Sequence, residues 1–295
     1  MATGLTLSES PSVLSNGQKI LVASAFDAFE PAAPNADLIR SERIPQGHKQ
    51  WDVLTYARLS DANALTEGVD LAQSEQLVTN SLSITPAEHG IIATLSKRLI
   101  RRQRDKNVMA GTGEMLGASL RRRMDKDGLA LYDGFSKSTP GASHALDITH
   151  FRGAAAYLMT DNDGSYGPAP MPYNAALHPE QISDIIADVT DTSPRGTTTG
   201  FTEELIHRWW AGSDRLYSIQ IFNAANIERD SSGDSKGAIF NKDALVIVMA
   251  NEAEATEQPD HSARVLELGI FQEWSEGERA DTHGVEIYSD SAATI

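Results

Sequence analysis

The stretch from residue 51 to residue 85 constrains this chain most, because it reads as extended and lacks the side chains to bury itself. Trp51-Asp-Val53 and Tyr56-Ala-Arg58 alternate apolar and polar positions. Residues 60–68 are polar with a glycine, and residues 77–85 again mix Val, Leu, Ile, Thr and Ser. The pattern predicts a long two-stranded excursion with a broad tip, and such a hairpin is marginal alone. Ordering a residue costs roughly 1–2 kcal/mol of chain entropy. At about 25 cal/mol per Å2, a segment this long needs more than about 1,000 Å2 of apolar burial to compensate. Its few large apolar side chains do not supply that area internally, so it must lie on the body of its own fold or on another subunit.

The residues before it give no help. The first fifty are dominated by Ser, Pro, Asn and Ala, with turn signals at 15–17, 31–34 and 45–47, and they read as a loose arm. Behind the hairpin, Ile91-Ile92-Ala93-Thr94-Leu95 predicts a strand or a first helical turn. From about 104 to 135, Met109, Leu116, Leu120, Met124 and Leu131 recur on one helical face, with Arg121, Arg122 and Arg123 partly opposite. Gly111, Gly113, Gly117 and Gly128 each weaken that helix by about 1 kcal/mol relative to Ala, so packing must hold it.

The second half reads as mixed α/β. Asp147 or Thr149 caps a helix running through 154–159, and 173–177 is a short strand. His178-Pro179-Glu180-Gln181 starts a helix with Pro at its first position and a Gln able to cap. Ile182, Ile185, Ile186 and Val189 form its buried stripe. Thr202-Glu203-Glu204 opens a further helix carrying Leu205, Ile206, Trp209 and Trp210. Strands follow at 217–222, 238–240, 245–249, 265–271 and 285–288.

Composition narrows the function classes. Apolar content of 40% and charged content of 22% are those of a globular chain. The absence of cysteine removes disulfides, thiolate metal sites and cysteine nucleophiles. Residues 1–17 have no basic cluster and no apolar core, so no leader is expected. The longest apolar runs, 154–159 and 244–250, fall far short of the roughly 18 residues a membrane span needs. The formal charge is −16 and unevenly spread. Between 97 and 126, ten Lys/Arg face three acids, whereas from 251 onward eleven acids face only Arg264 and Arg279, an acidic tail. So acidic a surface repels nucleic acid, and the basic block has no interleaved aromatics for base stacking. Ion pairing of the block with acidic partners is the expectation.

Catalytic and cofactor patterns are missing. Gly111-Thr-Gly113-Glu-Met-Leu-Gly117 has one residue too many for a dinucleotide loop and follows no buried strand. Asp161-Asn-Asp163-Gly164 lacks a closing Glu for calcium and reads as a surface turn. The eight histidines lie at no metal-ligand spacing, and no nucleophile elbow or phosphate loop occurs. The chain is expected to be a self-assembling subunit and not an enzyme, with no cofactor and no metal.

The order of parts, together with Ala64-Leu-Thr-Glu-Gly-Val-Asp70, Thr85-Pro-Ala-Glu-His-Gly90, Met124-Asp-Lys-Asp-Gly128, Pro172-Tyr-Asn-Ala-Ala-Leu-His-Pro-Glu-Gln181 and Lys236-Gly-Ala-Ile-Phe-Asn-Lys-Asp-Ala244, resembles the major capsid proteins of tailed phages, the Hong Kong 97 type. The resemblance implies an α+β capsid fold. Its parts would be an N-terminal arm at 1–49, an extended loop at 50–84, a peripheral domain with a spine helix at 85–145 (completed by about 251–295) and an axial domain at 146–250. It implies pentamers and hexamers of an icosahedral head enclosing double-stranded DNA, assembled in a bacterial cytoplasm. Trp51, Tyr56, Arg58, Asn63, Leu65, Glu67, Val69, Arg121, Arg122 and Arg123 would then contact neighbouring subunits. Because the recognisable loop begins near residue 50, a separate scaffolding protein is expected instead of a cleaved leader segment. A portal and a decoration protein would be further partners, and no Lys–Asn crosslink is expected. The same fold also serves encapsulin-type nanocompartments, the alternative within this resemblance, and a soluble α/β enzyme is the alternative outside it.

Overall fold

Two long antiparallel strands, β10 (Leu245–Asp260) and β11 (Val265–Glu278), form the axis of one half of the fold. They pair from Leu245 opposite Glu278 to Asp260 opposite Val265, with irregularities between Met249 and Glu254. The computed structural model describes residues 34–45, 47–56, 58–59, 61–62, 64, 67–68, 75–77, 79–102, 108–160, 166–190, 215–216 and 219–290. Asn63, Leu65, Val69, the 161–164 turn and the expected helix at 202–210 lie outside the described residues.

Flanking the pair are β1 (Arg40–Arg43), parallel to β10, and β4 (Ala87–Ser96), antiparallel to β11. This makes a four-stranded sheet in the order β1-β10-β11-β4. The eleven-acid stretch after Asn251 is therefore no tail. Its first part is the outer half of β10, and most of the rest lies in β11.

A short helix α1 (Pro34–Leu38) precedes β1, and α2 (Lys97–Arg102) follows β4 directly. The expected spine is α3 (Val108–Ala130), continued by a 3-10 turn at Leu131–Gly134. Its apolar face is where the periodicity put it. Leu116, Leu120, Met124 and Leu129 are buried in one cluster with Leu245, Ile247, Leu268, Ile270 and Trp274 of the sheet. Arg121 departs from the expectation. It is only 5% exposed, on the inner side of the helix, while Arg122 and Arg123 are exposed.

The second half is a six-stranded sheet in the order β5-β12-β9-β6-β8-β7. Its members are β5 (Ser138–Ala145), β6 (Tyr173–Leu177), β7 (Arg215–Leu216), β8 (Ile219–Asn223), β9 (Asp234–Asn241) and β12 (Gly284–Asp290). Helices α4 (Ile148–Met159) and α5 (Pro179–Thr190) supply Phe151, Leu158, Ile182 and Ile185 to a core shared with Ile219, Ile221, Ile239, Val285 and Ile287. Grouping the late strands with the spine is corrected here: β12 joins the six-stranded sheet, paired to β9 and β5.

The caps behave as their residue types dictate. Asp147 caps α4 by accepting from the His150 amide at 2.8 Å. Gln181 accepts from the His178 amide at 3.0 Å, closing the first turn of α5. Its amide nitrogen also donates to the Ser235 and Ile287 carbonyls at 3.0 Å, so this cap fastens the helix to two strands.

Candidate assembly surfaces

The extended excursion is a separate two-stranded ribbon, β2 (Trp51–Tyr56) against β3 (Thr79–Ile84), in register from Trp51 opposite Ile84 to Tyr56 opposite Thr79. Its base is rooted in its own chain. Ile84 is buried with Ile44, Val246 and Val248, and Trp51 and Leu82 pack partly buried against them. Gly277 makes room for this root, since a Cβ there would stand 2.5 Å from Ile84 Cδ1. Trp51 thus serves first as an anchor of the hairpin.

Beyond the root the described apolar residues of the hairpin are exposed. Tyr56 is 60% exposed, Leu59 54% and Leu77 55%. Arg58 forms a long ion pair with Asp61 at 3.9 Å, and its guanidinium lies beside Gly167 in the loop ahead of β6. Asp52 accepts from Ser83 and Gln50, which hold its carboxyl below the usual range. Glu67 is exposed. Of the candidate contact residues, Trp51 and Tyr56 lie in β2 and Arg58 and Glu67 in the segment that connects β2 to β3, while Arg121, Arg122 and Arg123 lie apart on α3.

The residues just before the hairpin are tied down, which the loose-arm reading missed for 34–44. Leu38, Ile39 and Ile44 are buried. The Asn35 amide donates to Asp125 at 3.3 Å, and the Asn226 side chain donates to the other Asp125 oxygen at 2.7 Å. The Tyr132 hydroxyl donates to Asn35 at 2.7 Å. Glu276 of β11 lies beside this knot, next to Gly128. Burial raises the Asp125 carboxyl, against the pull of Asn226, Asn35 and Arg121. Burial, then Asp127 and Asp125, pushes Glu276 well above the ordinary range. The only hint in the sequence was Pro34 ahead of an Asn-Ala-Asp-Leu turn.

Between α3 and the β8–β9 connection lies a groove of about 340 Å3. Its charges pair with one another: Arg123 with Asp127 at 2.9 Å, Lys126 with Glu228 at 2.8 Å, and Lys236 with Asp133. Among the described residues no three His, Cys, Asp or Glu side chains converge as metal ligands, and no helix is long and apolar enough to cross a membrane.

No protein-family model matches the sequence, and no curated protein matches it. The fold does have counterparts. The head structure of Helicobacter pylori bacteriophage KHP40 superposes with a TM-score of 0.66 at 12% identity, covering 97% of this chain and 95% of that one. The mature capsid of bacteriophage PhiM1 gives 0.65 at 12% identity, with 90% and 89% covered. A virus-like particle from Pyrococcus furiosus gives 0.60 at 11% identity, with 92% and 100% covered. Near-complete coverage in both directions leads to one conclusion: this chain has the Hong Kong 97-type capsid fold, as the sequence resemblance implied.

Proposed function

We propose that this chain is the major capsid protein of a tailed phage, assembling as pentamers and hexamers into an icosahedral head around double-stranded DNA. The observation that carries the reading is the hairpin, rooted at Ile84 but exposing Tyr56, Leu59 and Leu77, which the described residues of its own chain leave uncovered. In a shell the ribbon lies across the adjacent subunit, and that neighbour supplies the missing burial. Tyr56, Arg58, Asn63, Leu65, Glu67 and Val69 are its contact residues, with Trp51 at the root. On the spine, Arg122 and Arg123 are the outward contacts, and Arg121 supports them from inside.

In this reading the four-stranded sheet with α3 is the peripheral body, and the six-stranded sheet with α4 and α5 gathers around the five- and six-fold axes. The net charge of −16 gives packaged DNA a lining that it does not adhere to. The role is structural and not catalytic. The working partners are other copies of the chain, a separate scaffolding protein, a portal and a decoration protein, within the virion.

Deleting residues 61–68 tests the reading. The expected product is a folded subunit that forms no closed shell. Normal particles from that deletion would refute the role given to the hairpin. DNA inside purified wild-type particles separates a phage head from a nanocompartment that encloses proteins.

A further inference from the structure

Several basic side chains of the described residues are held by a carboxylate. Arg40, Arg43, Arg123, Lys126, Arg229, Lys236 and Arg279 all sit in ion pairs. One end of the four-stranded sheet gathers cations that are not so held. There β4 ends at Ser96 opposite Val265, and the Lys97 amide donates to the Arg264 carbonyl at 2.9 Å. That pairing sets Arg264, in the β10–β11 turn, beside the start of α2. Among the described residues Lys97, Arg98, Arg101 and Arg264 have no ion-pair partner. The turn's own Asp260 is engaged with the Ser262 and Ala263 amides at 2.8 and 3.1 Å. Among these cations Leu99 is 46% exposed and Ile100 36%. In a chain of net charge −16, a protrusion of unpaired cations around exposed apolar side chains is a surface awaiting an acidic, partly apolar partner.

The β2–β3 ribbon has the matching chemistry. Residues 50–84 contain Asp52, Asp61, Glu67, Asp70 and Glu75 against Arg58 alone. The Asp61 side chain is 98% exposed, and Tyr56, Leu59 and Leu77 of the same excursion are exposed. A chain cannot readily bring its own two surfaces together. The ribbon is rooted against Gly277, at the opposite end of β11 from Val265, roughly 40 Å away along the strand at about 3.3 Å per residue. From that root it leads toward Gly167 of the other sheet's body.

We propose that the basic end formed by Lys97, Arg98, Arg101 and Arg264, with Leu99 and Ile100, receives the acidic β2–β3 ribbon of a second copy of this chain. The inference rests on the shell reading and names the receiving surface. The contact is charge-assisted, so it weakens as salt rises through the range where the screening length falls below about 10 Å.

The test is a charge exchange in the full chain. Arg98→Glu with Arg101→Glu, and separately Asp61→Lys with Glu67→Lys, should each raise the critical concentration for particle formation by about tenfold or more. Combining all four should restore it, because the pairs reform with reversed sign. Thermal melting of the unassembled subunits checks that these exposed substitutions leave the fold intact. Loss in both pairs with no recovery in the combination would overturn the pairing, and so would normal assembly of either pair alone. Wild-type protein that forms no particle would overturn the shell reading itself, a failure distinct from swaps that leave wild-type-like particles.

Discussion

The Tyr132 hydroxyl donates a 2.7 Å hydrogen bond to the Asn35 side-chain oxygen across 97 residues of sequence, joining the segment ahead of the hairpin to the end of the spine. Both residues are buried, Tyr132 completely. Removing the hydroxyl leaves a buried acceptor bare, which costs about 1–3 kcal/mol. Tyr132→Phe is therefore expected to destabilise the unassembled subunit by about that amount, read as a lower urea midpoint at unchanged slope. An unchanged midpoint would mean that the knot does not hold the segment.

Two glycines of the spine should respond to Ala with opposite signs. At Gly128 a Cβ would collide with Asn35 and Glu276, whereas at Gly111 nothing lies within 4 Å. Helix propensity favours Ala by about 1 kcal/mol at both. Gly111→Ala should raise subunit stability by up to that amount, and Gly128→Ala should lower it, as thermal melting would reveal.

Glu278 ties stability to pH. Burial, then Asp281, pushes its carboxyl from 4.5 to about 7. A carboxyl raised in the folded state stays protonated there while the unfolded chain ionises, so its contribution is full below pH 4.5 and is lost as pH climbs to about 7. Glu276 is raised for the same first reason and acts in the same direction. Glu278→Gln should flatten the fall in subunit stability across that window, measured by urea unfolding at several pH values. An equally steep fall in the variant would assign the dependence to other groups.

The arginine triplet divides by burial. Arg121 is 5% exposed with its charge beside Asp125, so Arg121→Ala should destabilise the subunit. Arg122→Ala with Arg123→Ala should leave stability within about 0.5 kcal/mol. If these two arginines face acidic neighbours, the double variant should also reduce the ionic-strength sensitivity of assembly, as light scattering against salt would record.

What could be read from the sequence followed from uninterrupted local patterns. The spine's Leu116, Leu120 and Met124 and the Asp147 and Gln181 caps depend on neighbours a few residues away, the β2–β3 ribbon on alternation within each of its strands, and all appear as expected. The misses depend on distant partners. The outer half of β10 looked like a tail because the irregularities between Met249 and Glu254 break the alternation and its exposed positions carry acids. β5, Ser-Thr-Pro-Gly-Ala-Ser-His-Ala, has no apolar pattern and exists through parallel pairing with β12. The unpaired cations near Arg264 come together only because β4 and β11 are in register, and a linear charge count does not reveal that.

Electron microscopy of the purified full-length chain, across salt concentrations and with and without a scaffolding protein, tests the central claim most directly. The account predicts closed icosahedral shells built of pentamers and hexamers, with the β2–β3 ribbon of each subunit resting on a neighbour. Monomers or small oligomers at high concentration under every one of those conditions would contradict it.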